Sequence, residues 1–307
     1  MEPVARKSKI AVLLAAYNGK RWLLEQVDSI LNQRGVAVAI FVSVDSSTDG
    51  TEDWIDELSQ KDSRVVVLPH WQRFGGAAPN FFRLIRDVEL EPFDYVSFAD
   101  QDDIWHLDKL IRATEQLSRQ GADAYSSNIT AYWPTGKELL ICKSQPQRKW
   151  DHLFEAAGPG CTYVMAKPLI MEIKSFVCAN WVRTQDLILH DWFCYAYARA
   201  HGYRWYIDPQ PSMLYRQHVD NQVGVNNGLK AFLYRFKKIT DGSGIKQSVL
   251  IAQLVGKDNT NFVMMWSGLK RSGFLRLAFF ANECRRKRQE RFLFFCACLF
   301  MAILGKR

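Results

Sequence analysis

Asp100, Asp102 and Asp103 put three carboxylates within four positions, directly behind the apolar run Tyr95-Val96-Ser97-Phe98. Such a run reads as a buried strand that ends in a charge cluster. In an open α/β sheet, ligands bind where the strands end. Crowded carboxylates repel one another unless a cation joins them. A hard divalent ion is the natural partner, and Mg²⁺ typically takes one or two carboxylates together with substrate phosphates. Asp-x-Asp at a strand end therefore suggests a metal that holds a diphosphate. The plainer alternative is a solvated loop and helix cap, with Asp103 near the start of the helix that follows.

A second acidic strand end lies at Val44-Asp45-Ser46-Ser47-Thr48-Asp49-Gly50-Thr51. A carboxylate at Asp45 can accept the N3–H of a uracil or thymine ring, or a ribose hydroxyl. The small residues beside it let a ligand approach closely. Asp49 or Thr51 reads more simply as the cap that opens the next helix. Arg73-Phe74-Gly75-Gly76-Ala77-Ala78-Pro79-Asn80 is a glycine-rich turn into a helix, able to present backbone N–H groups to a ligand. It lacks the Lys-Ser/Thr of a P-loop, which disfavours a Walker-type NTPase.

The elements that must position these residues alternate along the chain. Ile10 to Ala16 is a continuous apolar run, as in a buried parallel strand, and it ends at Tyr17-Asn18-Gly19. Trp22, Leu23, Val27, Ile30 and Leu31 fit one face of a helix. Val36 to Val44 is a second strand, Thr51 to Leu58 a helix, Arg64 to Leu68 a third strand and Tyr95 to Phe98 a fourth. Leu107 to Gln120 is the helix after it. Strands alternating with helices imply a mostly parallel sheet with right-handed crossovers, Rossmann-like in pattern. Beyond residue 121 the alternation loosens. Ala122 to Trp133 and Leu139 to Cys142 read as strands, Thr184 to Ala200 as an aromatic-rich helix, and Arg204 to Ile207 and Met213 to Tyr215 as short strands.

The chain has 307 residues, enough for one large domain or two modest ones. It is 48% hydrophobic and 13% aromatic, so it can bury a substantial core and is not disordered. The net charge of +8 suits an anionic partner. Seven scattered cysteines without paired spacing read as reduced thiols in a cytosolic protein. Met1 to Lys9 has no signal-peptide character, and no segment reaches the ~20 apolar residues of a spanning helix.

Ala15-Ala16-Tyr17-Asn18-Gly19, the Asp45 segment and Phe98-Ala99-Asp100-Gln101-Asp102-Asp103-Ile104-Trp105 resemble the successive signatures of glycosyltransferase family 2. This is the inverting group with the GT-A nucleotide-diphospho-sugar transferase fold. At Val44-Asp45-Ser46 the usual Asp-Asp-Gly-Ser is altered, with Asp45 kept and Ser46 in place of glycine. Leu189-His190-Asp191-Trp192 and Tyr215-Arg216-Gln217-His218, with Asn221 and Gly224 behind, extend the resemblance to about residue 225. They are similar to the rhamnosyltransferase-like branch, which builds bacterial surface polysaccharides. Gly158-Pro159-Gly160-Cys161-Thr162 falls where that branch has small residues near the donor sugar.

The resemblance implies Asp191 as catalytic base, and one base is what inverting transfer needs, because the diphosphate leaves without a protonating acid. It implies Ala16, Tyr17, Asn18, Asp45, Asn80, Asp100, Gln101 and Arg216 at the donor nucleotide. It places Asp102 and His218 on Mg²⁺ or Mn²⁺. His218 can alternatively hydrogen-bond phosphate or be structural. The donor implied is dTDP-L-rhamnose, and the acceptor a polysaccharide or lipid-linked glycan, with no nucleic acid. A UDP-hexose donor is the alternative within the class. A nucleotidyltransferase is the rival enzyme, and a membrane-bound scaffold with a dead fold the non-enzymatic reading.

A boundary is expected near residue 225, with a GT-A catalytic domain over 1–225 and a basic, helical region over 226–307. There, Phe274 to Phe280 is followed by Arg285-Arg286-Lys287-Arg288, then by Phe292 to Leu304 and Lys306-Arg307. Apolar helix flanked by positive charge suits an interfacial element on anionic lipid. A cytoplasmic protein held on the inner face of the membrane follows, with Phe292, Leu293, Phe295 and Leu299 inserting. A truncation before Arg271 should then leave a soluble catalytic part. A helical hairpin or dimer contact is the packing alternative.

Overall fold

The computed structural model describes residues 6–70, 73–218 and 242–304. In chain order the elements begin with β1 (Lys9–Ala16), α1 (Lys20–Leu31), β2 (Ala37–Val44), α2 (Thr51–Lys61), β3 (Val65–Val67), α3 (Ala77–Asp87) and β4 (Tyr95–Ala99). Next come β5 (Ile104–Trp105), α4 (Lys109–Gln120), β6 (Ala124–Ser127), β7 (Ile129–Tyr132), β8 (Glu138–Ile141), β9 (Val164–Ala166) and α5 (Lys167–Ala179). They continue with α6 (Trp181–Thr184), α7 (His190–Ala200), β10 (Trp205–Asp208) and β11 (Met213–Arg216). The last are α8 (Ser243–Leu254), α9 (Asn261–Ser267), α10 (Arg271–Phe279), α11 (Ala281–Cys284) and α12 (Arg288–Leu304).

Among the described residues the larger sheet has the order β10-β6-β9-β4-β1-β2-β3. Its pairings are parallel except at β9, which runs antiparallel to both β4 and β6. The expected α/β fold with a mostly parallel sheet is therefore present. Ile10 to Leu14 of β1 are wholly buried, as a central strand covered on both faces requires. Leu23, Val27 and Ile30 of α1 and Leu110, Ala113 and Leu117 of α4 join that core. A smaller sheet has the order β5-β11-β7-β8. Met213 and Leu214 of β11 pair antiparallel with Trp105 and Ile104, which brings the end of β11 back to the acidic loop.

The chain divides into two compact units. One comprises Met1–Ser144, Gly158–Asp191 and Tyr203–Asp220; the other comprises Gln145–Ala157, Trp192–Gly202 and Asn221–Arg307. The boundary expected near residue 225, with Asn221 and Gly224, lies outside the described residues.

Two expected elements differ from those observed. The helix expected over Thr184 to Ala200 is interrupted: α6 ends at Thr184, turns follow, and α7 begins at His190. Asp191 thus falls in the first turn of a helix. The stretch Ala122 to Trp133 is two strands in different sheets. Asn128 makes the corner: its amide nitrogen donates to the Pro209 carbonyl at 2.7 Å, and its Oδ1 accepts from the Lys143 and Ser144 N–H groups at 2.6 and 3.0 Å.

In the second unit the basic run is not a surface patch throughout. Arg286 is 2% exposed and pairs with Asp151 at 3.2 Å and Glu155 at 3.7 Å. Burial opposes its charge, but Glu155, Tyr195 and Asp151 outweigh that and push its pKa up. Asp151 is fully buried and also accepts from Tyr195 at 3.0 Å and Arg199 at 3.2 Å. Trp150 stacks on Phe262 at 4.4 Å, and Phe154 packs against Phe262, Trp266 and Phe294. The C-terminal helices thus build a core, and truncation before Arg271 would strip Asp151 of a counter-charge. Removing one partner of a buried ion pair costs about 3–5 kcal/mol. Arg286→Met should lower unfolding stability by that order, read by urea denaturation, whereas Lys287→Met at an exposed position should change it little.

Candidate active site

The site grows from three loops at the carboxyl ends of β1, β2 and β4, and side chains bind these loops to one another. Gln101 accepts from the Tyr17 N–H at 2.7 Å, and its amide donates back to the Tyr17 carbonyl at 2.9 Å. Gly19 makes room for this: a Cβ there would lie 2.2 Å from Gln101 Oε1. Asn18 adopts a left-handed φ of 46°, accepts from Thr48 N–H at 2.8 Å and donates its own N–H to Ser47 at 2.9 Å. Ala16, at the end of β1, accepts from the Asp45 N–H at 2.7 Å. Each of these residues, singled out in the sequence, lies at the shared edge.

The Asp45 carboxylate accepts from the backbone N–H groups of Phe74 at 2.7 Å and Gly75 at 2.9 Å. The glycine-rich turn therefore presents its N–H groups to a resident carboxylate. Asn80 stands apart from the edge. It is 2% exposed, bonds the Ser43 hydroxyl through Oδ1, and donates to the Ser43 carbonyl at 3.0 Å. Its side chain braces β2 from beneath.

Around the acidic loop the charges crowd. Burial first, then repulsion from Asp102 and Asp191, pushes Asp100 up to about 7. Asp191 therefore belongs to the same electrostatic neighbourhood as the Asp-x-Asp pair. His218 Nε2 lies 2.7 Å from an Asp102 carboxylate oxygen. Arg216 donates from Nε to the Asp102 carbonyl at 2.9 Å and pairs with Glu25. Asp100, Asp102, Asp191, Arg216 and His218, far apart in sequence, are thus assembled. Carboxylate oxygens with one imidazole form a donor set that fits a divalent cation such as Mg²⁺ or Mn²⁺.

Asp103 is not a helix cap. It is fully buried, with Asp108 and not Asp103 preceding α4, and one carboxylate oxygen accepts the Arg216 N–H at 3.3 Å. Burial, Asp102 and Asp100 raise its pKa well above the usual range. Ligand atoms of Asp100, Asp103 and Cys161 lie within 4.8 Å of one another. Lys109 is also fully buried, its Nζ 3.4 Å from the Trp105 ring centroid. Burial lowers its pKa to about 7, while Cys161 and Asp103 favour its charge. The thiol side of the cluster thus faces a buried amine whose charge burial disfavours and its acidic neighbours favour. Trp22, Glu25 and Lys109 escape a reading by motif, whereas Asp103 and Cys161 sit inside motif segments without a role of their own. Trp22 and Glu25 offered one signal, their three-residue spacing on α1.

Gly160 lies under His190 and Asp191: a Cβ there would be 2.7 Å from His190 Nε2 and 3.1 Å from Asp191 Cβ. His190 stacks on Phe81 at 3.8 Å and meets Phe98 edge-on at 5.1 Å. It is an aromatic spacer that seats the first turn of α7.

The family model of glycosyl transferase family 2 matches residues 11–150. RfbG of Shigella flexneri, a dTDP-rhamnosyl transferase, is 44% identical over 279 residues, covering 91% of this chain and 96% of that protein. Among solved structures, S. aureus TarS 1-349 in complex with UDP-GlcNAc gives a TM-score of 0.53 at 12% identity, covering 97% of this chain and 92% of that one. The mannosyltransferase PcManGT of Pyrobaculum calidifontis, in complex with GDP-Man and Mn²⁺, gives 0.53 at 16% identity, covering 98% and 87%. The fold is that of a GT-A glycosyltransferase. Within that class the chain belongs to glycosyl transferase family 2.

His190 yields a pH-dependent expectation. Burial lowers its pKa to about 3, from 6.5 when exposed. Between these values the unfolded chain binds a proton that the folded chain does not, so stability is lost as pH falls from 6.5 towards 3. His152 in the second unit shifts the same way. Urea unfolding of His190→Leu should show a shallower loss over that window than the parent, even though the variant starts less stable.

Proposed function

We propose that this enzyme transfers L-rhamnose from dTDP-L-rhamnose, with inversion, to a bacterial surface polysaccharide or lipid-linked glycan. One observation carries the donor: the near full-length likeness to a protein named as a dTDP-rhamnosyl transferase. Asp45 holds the base or ribose, and Ala16, Tyr17, Asn18, Asp100 and Gln101 complete the nucleotide cradle. Arg216 binds the diphosphate through its planar fork. Asp102 and His218, beside Asp100, would hold the divalent cation, which when bound offsets charge on the departing diphosphate. Asp191 accepts the acceptor hydroxyl's proton as its oxygen bonds to the anomeric carbon. The bond from that carbon to the diphosphate oxygen breaks, and dTDP leaves with the electron pair. Asp191 suits this role, lying in the first turn of α7 and within electrostatic reach of Asp100.

A donor panel with dTDP-rhamnose, UDP-glucose and UDP-GlcNAc tests the reading, and preferential turnover of a UDP-hexose would replace it. Asp191→Asn should keep dTDP affinity and lose roughly 10²–10⁴-fold in turnover, as for a general base. A loss below about tenfold would remove Asp191 from that role.

The enzyme works, in this reading, as a cytoplasmic protein on the inner face of the membrane. Among the described residues no helix is long and apolar enough to cross one. The face of α10 and α12 supports surface association. Phe279 is 74% and Phe292 68% exposed, with Leu275, Ile303 and Leu304 also exposed. Lys270, Arg271 and Arg276 at α10, and Lys287 and Arg288 at the start of α12, are also exposed. Phe295 rests against Phe279, and Leu293 and Leu299 are half-buried, so the inserting set is narrower than sequence implied. Phe279→Ser with Phe292→Ser should reduce co-sedimentation with phosphatidylglycerol vesicles and leave turnover of a soluble acceptor analogue intact. Undiminished vesicle binding would assign this face to packing between protein copies.

A further inference from the structure

Arg216 ends β11 and His218 follows two residues on, and both meet one residue of α1. His218 stacks on the Trp22 ring, centroids 5.4 Å apart and planes 21° apart. The Arg216 guanidinium lies 4.6 Å from the centroid of the same indole, with Tyr132 5.9 Å away. Arg21 adds a third contact to that ring at 4.3 Å. Three residues on, Glu25 pairs with Arg216. Residues three apart on a helix share a face, so Trp22 and Glu25 act from one side of α1.

That helix is well anchored. Leu23, Val27 and Ile30 are buried in the sheet core, and Ser29 Oγ accepts the Trp105 N–H at 3.1 Å. The platform and the acidic loop are thereby held in one frame. An arginine fork binds a diphosphate well only when its plane is fixed, because a free side chain must first lose its rotamer freedom. Indole stacking and a carboxylate at one end of the fork supply that restraint for Arg216. The stacking fixes the imidazole plane of His218 against Asp102.

We propose that Trp22 and Glu25 are positioning residues of the donor site, one face of α1 holding Arg216 and His218 in the orientation that receives a nucleoside diphosphate and its divalent cation. The proposal rests on the roles given to Arg216 and His218 above. Trp22 serves both residues, Glu25 only Arg216.

Calorimetric titration of the full chain with dTDP, with and without Mn²⁺, tests this, alongside donor KM, kcat and melting temperature. Trp22→Ala should weaken dTDP binding about tenfold or more, raise the donor KM more than it lowers kcat, and shift the Mn²⁺ activation midpoint upward. Trp22→Phe restores a flat ring and should recover binding to within about threefold. Glu25→Gln should weaken dTDP binding by a smaller factor, with no further effect in an Arg216→Ala background. Trp22→Ala binding dTDP as the parent does, or a loss that Trp22→Phe fails to rescue, overturns the role of Trp22. Additive losses for Glu25→Gln and Arg216→Ala overturn that of Glu25. Should Trp22→Ala fail to fold, Trp22→Phe and the Glu25 cycle decide alone. Arg216→Ala is the separate control: unchanged dTDP binding in that variant would refute the diphosphate role of Arg216 itself.

Discussion

Like-charge repulsion at one sheet edge is the constraint on which the rest of the first unit depends. Asp100, Asp102, Asp103 and Asp191 converge where β4 ends, and burial disfavours the charged forms of Asp100 and Asp103. The fold answers with basic side chains and N–H groups drawn from elsewhere. Lys109 is buried beside Asp103, the Arg216 N–H donates to it, and His218 faces Asp102. The smaller sheet exists in the right register to deliver these groups, because β11 pairs with the two residues directly after the acidic loop. A negatively charged edge that is only partly compensated attracts a cation, and through it an anionic phosphate chain.

The same edge shows how loops are made firm without regular structure. Gln101, Asn18 and Asp45 each bond backbone groups of a neighbouring loop, so three strand ends behave as one surface. Several of these side chains are candidates for ligand contact by motif, yet in this structure they hold protein. A carboxylate such as Asp45, satisfied by Phe74 and Gly75, orders the glycine-rich turn as well as offering itself to a nucleotide. Side chains at a binding edge can do both, since a carboxylate has several acceptor positions.

The alternation of apolar runs and amphipathic helices made the parallel sheet legible, because a strand buried on both faces has no polar interruptions. Ile10 to Ala16 and Tyr95 to Phe98 are such runs. The Asp-x-Asp pair stood out as crowded charge at a strand end, whereas Asp191, Arg216 and His218 stood out only through the family resemblance; the structure brings all of them to one edge. The burial of Asp103, against which the helix-cap alternative fails, is not legible locally because it depends on β11, more than a hundred residues away. The place of Asn80 is not legible locally, because an amide in a glycine-rich turn faces solvent or ligand as readily as a strand; its bonds to Ser43 are tertiary. Trp22 looked like one more core residue of a helix. In the second unit, Arg286 sat in a run of four cations, and nothing local distinguishes the one whose partner is Asp151.

That partner relation has a consequence for how the protein comes into being. Asp151 and Arg286 are separated by 135 residues, and Asp151 is completely enclosed once the unit has formed. On the ribosome the carboxylate emerges long before Arg286, with Arg199 arriving in between. Domains tend to fold as units during synthesis, in the order they emerge. The first unit has all its segments by Asp220, whereas the second waits for the last helices. A nascent chain therefore passes through a stage with a nucleotide-binding sheet already closed and the rest still open. A premature stop codon ahead of Arg286 would leave Asp151 without that partner and strip Phe154 of its contact with Phe294.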